Sequence, residues 1–463
     1  MTEKLLASIS FDDIDSRLWG CTTHLAGLFL VRLSKLPRVE LADYPLLVRL
    51  NPAIPWKTRG NAAVVIRVYV DGEDPFKSVC EEAWSLVGEY TSPRVGEPVK
   101  KPGIACMLGE AWRSGRLRAL YNRALRDVVV LDYARITAEK AGVNIRGGRG
   151  VIGATAALAA LPPGEPSTFE LVAYRQPGLW GGPRCIDHES AARLESKLPP
   201  CVFNNFDPVR GRLTAAPGGP DPVLAGFRGT CPRHLASYSE VLCEEPHFWV
   251  LYRSNQHTDA HAGELGAPRP YKSGTIEARV SNTPRVEHGG HVLVPIIIEP
   301  LGQQALLAVY RESGYLNRVA RLLQAGDRVR ALVNVRPYGS TQLPIMTVEK
   351  LWVLRVSDRY TLRAPRCPKC GHRMKSLGRG RGYRCPKCGY TLMTSPIRVR
   401  IPRMLAPGVY TPGPGRLRHL TAPWPEPTYF RGGYTPSWGE ILSTTSNPPV
   451  SDPPASSGSH HRA

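Results

Sequence analysis

Apolar and polar positions change period several times along the chain, and each change predicts a new piece of architecture. "LLASISF" (5–11) and "AAVVIRVYV" (62–70) are apolar and β-branched, as strands are. "TTHLAGLFLVRLSKL" (22–36), "FKSVCEEAWSLVGEYT" (76–91) and "SGRLRALYNRAL" (114–125) have helical spacing, and "DVVVLDY" (127–133) reads as a further strand. Over residues 1–145 this mixture predicts an α/β or α+β domain. The Gly-rich turn of "NIRGGRGVIGATAALAALPPGEPS" then opens a helix. It is followed by the strand "TFELVAYR", the helix "HESAARLESK" and the apolar run "SEVLCEEPHFWVLYRSN". That order over residues 146–265 suits a ferredoxin-like α+β sandwich.

From Lys272 the pattern turns to β. Five runs, "SGTIEARVSN", "GHVLVPIIIEP", "QALLAVYR", "DRVRALVNVRP" and "IMTVEKLWVLRV", read as strands, with helical "YLNRVARLLQAG" between the third and fourth. Five strands with a helix in that place predict an OB-fold β-barrel over residues 272–356. Residues 363–392 hold a cysteine cluster, 393–435 form a basic C-terminal extension, and 436–463, rich in Ser and Pro, read as a disordered tail. No apolar run is long enough to span a membrane and the N-terminus lacks a secretory pattern, so a cytoplasmic, membrane-free protein is expected.

Charge narrows the class of partner. Sixty Lys+Arg against 39 Asp+Glu leave a net +21, and fifteen of the cations lie between Arg359 and Arg418, where no acid occurs. A concentrated excess of this kind predicts a polyanion-binding surface, and nucleic acid fits better than a membrane because the segment is not an amphipathic helix. Eleven cysteines without a secretory context do not predict a disulfide framework. Cys80, Cys106, Cys185, Cys201 and Cys243 read as small buried apolar residues.

The strongest local motif is "CPKCGHRMKSLGRGRGYRCPKCG". Cys367 and Cys370 form one knuckle, Cys385 and Cys388 a second, with fourteen residues between them. Four thiolates at this spacing close a tetrahedral site around Zn²⁺, which is structural because no position stays open. Gly371 and Gly389 permit the tight turn after each pair. Arg373, Lys375, Arg379, Arg381, Tyr383 and Arg384 lie between the knuckles and suit phosphate contacts and base stacking. Barrel and ribbon alone would describe a non-enzymatic single-stranded nucleic-acid-binding protein.

The N-terminal "SISFDDIDSRLWGCTTHLAGLFLVRL" argues for more. Asp12, Asp13 and Asp15 crowd the end of a strand, where adjacent carboxylates repel unless a cation neutralises them. Mg²⁺ prefers such oxygen ligands and brings substrate phosphates with it. Thr22 and Thr23 stand at the start of the next helix, where they can cap it and offer hydroxyls beside the same phosphates. No P-loop sequence is present.

"DDIDSRLWGCTT" resembles the pattern of the archaeal agmatidine synthetase family, as do "RLNPAIPWKTRGNAA", "GGRGVIGATAAL", "SNQHTDAH" and "GVYTPGPGRLRHLTAP". The resemblance covers essentially residues 5–425. It implies a multidomain α+β chain: a kinase-like α/β catalytic domain, a ferredoxin-like domain, an OB-fold β-barrel and a zinc ribbon. It also implies a reaction. ATP phosphorylates the 2-carbonyl oxygen of the wobble cytidine in isoleucine tRNA with a CAU anticodon; agmatine then displaces the phosphate, releasing AMP and two phosphates in all.

On this mapping Asp12, Asp13 and Asp15 handle Mg²⁺–ATP, and Thr22 matches a threonine that the kinase domain phosphorylates on itself. Ser16, Thr23, Lys57, Arg59, Asn61, Arg146 and Arg149 are expected near phosphates. Agmatine is a dication and needs a carboxylate, for which Asp259 is the candidate, with a structural cap as its alternative role; Asn255, Gln256 and His261 either contact the nucleotide or fix the loop. Ser10, Ile14, Trp19, Gly20, His24 and His257 depart from the family pattern without removing an aspartate or the mapped threonine.

Overall fold

The computed structural model describes residues 4–16, 20–57, 60–92, 100–220, 222–337, 342–432, 434–444 and 448–449. One mixed sheet dominates the first half. Its strands are Leu5–Asp12 (β1), Leu46–Arg49 (β2), Ala62–Val70 (β3), Gly103–Leu108 (β4), Asn144–Gly147 (β5), Thr168–Tyr174 (β6), Val223–Gly229 (β7) and Phe248–Ser254 (β8). They lie in the order β7-β6-β8-β2-β3-β1-β4-β5. The segments expected to form two separate domains therefore share one sheet, and β5 runs across the expected boundary at 145/146.

Alternation along the strands explains the layers. Ala7, Ile9 and Phe11 of β1 face helices α1 (Thr22–Leu33) and α2 (Glu73–Tyr90), together with Val64, Ile66 and Val68 of β3. Ala63 and Val65 face the other way, onto α3 (Gly115–Ala124), α4 (Leu131–Lys140) and α5 (Val151–Ala157). The same alternation turns Ser8, Ser10 and Asp12 toward α5, whose small residues let it lie close to the sheet.

The run expected as a strand at 127–133 does not form one. Val128–Val130 are irregular, and Leu131 begins α4, where Ala134 and Ala138 keep helical spacing into the core. Helix α6 (His188–Glu195) forms as expected, with the Asp187 carboxylate accepting from the Glu189 and Ser190 N–H groups. Cys80 and Cys106 are buried, but Cys185 and Cys243 are exposed, and Cys201 is disulfide-bonded to Cys231.

The five expected β strands close into a barrel. β9 (Ser273–Val280), β10 (Val292–Ile298), β11 (Gln303–Val309), β12 (Arg328–Val335) and β13 (Ile345–Arg355) run in the order β9-β12-β13-β11-β10, and β9 pairs again with β10. Helix α7 (Tyr315–Ala320) lies between β11 and β12. Beyond the barrel, β14 (Arg359–Arg363) pairs with β15 (Ile397–Ile401), carrying the cysteine knuckles between them.

The basic extension is a strap rather than an appendage. β16 (Gly408–Tyr410) pairs with β13 of the barrel, Leu420 enters the core beneath α3–α5, and Phe430 bridges to Ser167. The start of the expected disordered tail is likewise ordered. Helix α8 (Trp438–Ile441) begins with a Ser437/Glu440 capping box, and β17 (Leu442–Ser443) pairs with Trp249–Val250. Residues 445–447 and 450–463 of that tail lie outside the described residues. No helix among the described residues is long and apolar enough to cross a membrane.

Candidate active site at the seam of the sheet

The aspartates cluster because β1 ends where the chain reverses. Asp13 adopts a left-handed φ of 58°, and its backbone N–H donates to Asp12 Oδ1 at 2.7 Å. Arg149, just before α5, donates to both Asp13 oxygens at 3.0 Å. Burial, then the neighbouring Asp13 charge, push the Asp12 carboxyl well above the usual range. Burial also raises Asp13, against the pull of Arg149. The three carboxylates do not converge into a three-acid cage, since only the ribbon cysteines do so among the described residues. A metal held by one or two carboxylates plus phosphate oxygens remains within what Mg²⁺ chemistry asks.

Thr22 is 1% exposed at the start of α1. Its hydroxyl donates to Asp15 Oδ2 at 2.9 Å and accepts the Ile14 N–H at 3.3 Å. Two cavities meet here. The first is lined by Asp12, Asp13, Lys57 and Arg149, with apolar walls from Leu50, Ile54, Val128, Val129 and Ile152 and with Trp56 among its lining residues. The second, about 590 Å³, is lined by Thr22, Thr23, Arg49, Glu170, the 214–220 loop, Arg228 and His419. Asp15, Asn61 and Ala62 line both.

Charge in the second cavity is organised around Glu170. Arg49 donates to one of its oxygens at 3.1 Å and Arg228 to the other at 3.2 Å. Burial works to raise its carboxyl, but the two guanidinium groups outweigh that and hold it below the usual range. Burial, then Arg49 and Arg228, push the His419 imidazole well down, so it is neutral.

The remaining predicted residues divide. Thr23 faces the second cavity, Lys57 the first, and Asn61 both; Asn61 donates to Asn51 O at 2.8 Å. Ser16 is buried behind Asp15 and lines neither cavity. Arg59 lies outside the described residues. Arg146 points away, onto Glu81 of α2.

Asn255, Gln256, Asp259 and His261 hold the loop after β8 in place. Asn255 accepts the Arg49 N–H at 2.7 Å and Gln256 accepts from Arg49 Nε at 2.8 Å. Asp259 is committed to buried Lys350 and to the Ala422 N–H, facing a third cavity on the barrel rather than the aspartates. His261 bonds to Glu349 of β13 at 3.0 Å. These bonds tie Asn255, Gln256 and His261 into the frame of that loop. Arg49, Glu170, Arg228, His419 and the 214–220 loop escaped the sequence reading, because three distant segments bring them together. The His419 stretch, "GVYTPGPGRLRHLTAP", was visible as a motif but carried no chemistry by itself.

At the ribbon the four sulfurs lie within 4.8 Å of one another, with Cys370–Cys385 at 3.4 Å and Cys367–Cys388 at 3.5 Å. Tetrahedral zinc with bonds of about 2.3 Å needs sulfurs about 3.8 Å apart, so the donor set fits that ion. Gly371 and Gly389 have φ of 69° and 71°, and their N–H groups bond back to Cys367 O and Cys385 O. Arg373, Lys375, Arg379, Arg381 and Arg384 are exposed, while Tyr383 packs on the small ribbon core.

Comparison with known proteins places this geometry. Residues 8–147 match the family described as the TiaS TCKD domain, 148–261 the TiaS FLD domain and 364–405 the TiaS C-terminal zinc ribbon domain. The isoleucine-tRNA 2-agmatinylcytidine synthetase TiaS of Acidilobus saccharovorans is 50% identical over 419 residues, covering 90% of this chain and 94% of that protein. The chain belongs to the TiaS family. The Staphylothermus marinus protein of the same name is 37% identical, with 91% and 94% covered. Among solved structures, a complex of TiaS with its isoleucine tRNA and ATP aligns with a TM-score of 0.79 at 30% identity, covering 93% of this chain and all of that one. A complex of TiaS with the same tRNA, AMPCPP and agmatine aligns with a TM-score of 0.76 at 28% identity, with the same coverage.

Proposed function

We infer that the chain is the ATP-dependent ligase of its family, joining agmatine to the 2-position of the wobble cytidine of the CAU-anticodon isoleucine tRNA. The observation that carries the mechanism is the junction of the two cavities at Asp15, where the Thr22 hydroxyl also points. ATP belongs in the first cavity: apolar walls suit the adenine, and Lys57 and Arg149 suit the triphosphate. Asp12 and Asp13 are the residues that would hold Mg²⁺ there, an ion that screens phosphate charge and fixes its orientation. This role for the nucleotide layer is what the kinase-like assignment means. The flanking α+β layer with β6–β8 keeps the ferredoxin-like reading, and the barrel, with its helix between strands three and four, the OB reading.

The extruded cytidine and the amine meet in the second cavity. Asp15 orients the Thr22 hydroxyl, through which the family's self-phosphorylation would run. Phosphorylation turns the cytidine 2-oxygen into a leaving group; the amine nitrogen bonds to C2 and the phosphate departs with the C–O electron pair. Arg49 and Arg228 supply positive charge where that phosphate leaves. Asp259 pairs with Lys350 outside this cavity, and the acids that line it for the cationic amine are Asp15 and Glu170, the latter shared with Arg49 and Arg228. An anticodon base lies in a loop and can be turned out without opening a duplex. The basic ribbon, with its structural zinc, grips the tRNA, and a tRNA substrate fits a cytoplasmic location. A binding-only protein would leave the Thr22–Asp15 pair and both cavities without a use.

Purified protein, ATP, Mg²⁺, radiolabelled agmatine and a CAU-anticodon isoleucine tRNA transcript test this directly. Label should enter the tRNA and be lost when the wobble cytidine is replaced. Tight tRNA binding with no label under any of these conditions would overturn the reading.

A further inference from the structure

Ten of the eleven cysteines stand in pairs or in the ribbon cluster, and one of those pairs, Cys185 with Cys243, has no role in the chemistry above. Ile186 and Leu242 form an isolated antiparallel bridge, which sets Cys185 directly opposite Cys243. The Cys243 N–H donates to Cys185 O at 3.3 Å, and the Asp187 N–H to Val241 O at 2.9 Å. Hydrogen-bonded partners in an antiparallel ladder hold their Cα atoms about 5.5 Å apart, the middle of the range that a disulfide spans. Both residues are exposed, so an oxidant can reach them.

We propose that Cys185 and Cys243 form a second disulfide, enclosing the Cys201–Cys231 link, and that it braces the wall of the second cavity. The bracing follows from Arg184, next to Cys185. Its guanidinium donates to Pro217 O at 2.8 Å and to Val223 O at 2.9 Å, gripping two residues that line that cavity. On the other strand Cys243 precedes Glu244, whose carboxylate holds buried Arg175 at 2.7 Å and 2.8 Å. A bond between the two strands pins both grips at once.

The step needs a two-electron oxidant, and a low-molecular-weight disulfide supplies it. One thiolate attacks a sulfur of the small disulfide and expels one small thiolate. The second protein thiolate then attacks the mixed disulfide and expels the other, and the two protein thiol protons pass through solvent to the two small thiolates. The protein sulfurs are oxidised and the small disulfide is reduced to two thiols.

The test uses the zinc-loaded full chain incubated with oxidised glutathione, quenched in acid, alkylated and peptide-mapped without reductant. A Cys185–Cys243 linked peptide is expected, absent from Cys185→Ser and from Cys243→Ser, with Cys201–Cys231 as the internal control. Hydrogen exchange across residues 214–223 should slow severalfold in the linked form relative to Cys185→Ser. Both thiols fully alkylated while the control bond persists would overturn the proposal. So would pairing of Cys185 with Cys201 or Cys231, or a linked form whose 214–223 exchange matches that of Cys185→Ser.

Discussion

Replacing Gly153 with alanine should invert an ordinary rule. Gly153 sits inside α5, where alanine normally stabilises a helix by about 0.5–1 kcal/mol. A Cβ at this position would stand 1.9 Å from Asp12 Oδ2, 2.7 Å from its Cγ and 3.1 Å from Leu50 Cδ1. Asp12 cannot swing freely aside, because Oδ1 is bonded to the Asp13 N–H and the far wall is the sheet. Overpacking of this kind costs about 1–3 kcal/mol, and loosening the Asp12 hydrogen bond adds about 1 kcal/mol. The helix gain offsets part of this, leaving Gly153→Ala less stable by about 1–3 kcal/mol. Displacing Asp12 by an ångström should also lower agmatine transfer about a hundredfold. Thermal unfolding and single-turnover labelling of tRNA measure the two effects. Adding Asp12→Ala should return most of the stability and none of the activity, a coupling of about 1 kcal/mol or more. Gly153→Ala protein as stable and as active as the parent would refute the packing of α5 on Asp12.

Asp13→Asn keeps the volume but weakens the paired bonds to Arg149, so tRNA-stimulated ATP turnover should fall at least about a hundredfold; unchanged turnover would remove Asp13 from the phosphate site. Glu349 is buried among His261, Arg418 and Thr421; burial raises its carboxyl, but those partners outweigh it and hold it near 2, below the usual 4.5. Glu349→Gln should lower stability by about 2–4 kcal/mol at neutral pH. Because the folded-state value is the depressed one, that difference is full above about 4.5 and shrinks as pH falls toward 2; a pH-independent difference in unfolding midpoint would contradict it. Zinc removal should unravel the ribbon, whose buried core is only Cys367, Met374 and Cys385, and weaken tRNA binding at least about tenfold. Chelation that leaves tRNA affinity intact would exclude the ribbon from the interface.

The sequence was most legible where chemistry is local. The cysteine knuckles, the aspartates beside Thr22 and the barrel strands each declare themselves within a few residues, since ligand spacing and period-2 alternation are short-range properties. Long-range facts were hidden. Nothing in "DVVVLDY" says that Leu131 starts a helix, because a short apolar run fits either element until the surrounding core selects one. Ser, Pro and few apolar residues made the tail look disordered, yet a four-residue helix with a capping box and a two-residue strand on Trp249 suffice to dock its beginning. Asp259 shows itself in the sequence as a carboxylate, but its partner, the buried ammonium of Lys350, lies ninety-one residues away and does not.

The sharing of one sheet has a catalytic consequence. Among the described pairings of that sheet only β2 with β8 is parallel, joining Leu46 to Arg253 and Leu47 to Ser254. Parallel neighbours send their next loops off the same edge, so residues 50–57 and 255–262 emerge side by side. That is why Asn255 and Gln256 can clamp Arg49, and why Arg49 reaches Glu170 across the seam. The first cavity is built entirely from residues 12–153, whereas the second needs residues 15–62, 170–228 and His419 of the strap. On the proposed assignment, nucleotide binding belongs to one side of the seam and carbon–nitrogen bond formation to both. Strap residue His419 lines the second cavity, and the strap is held beside it by Thr421 and Arg418 on Glu349 of the barrel. The barrel that leads to the basic ribbon thus also anchors the strap that carries His419 to the second cavity, and on the proposed function this places recognition and chemistry on one connected frame.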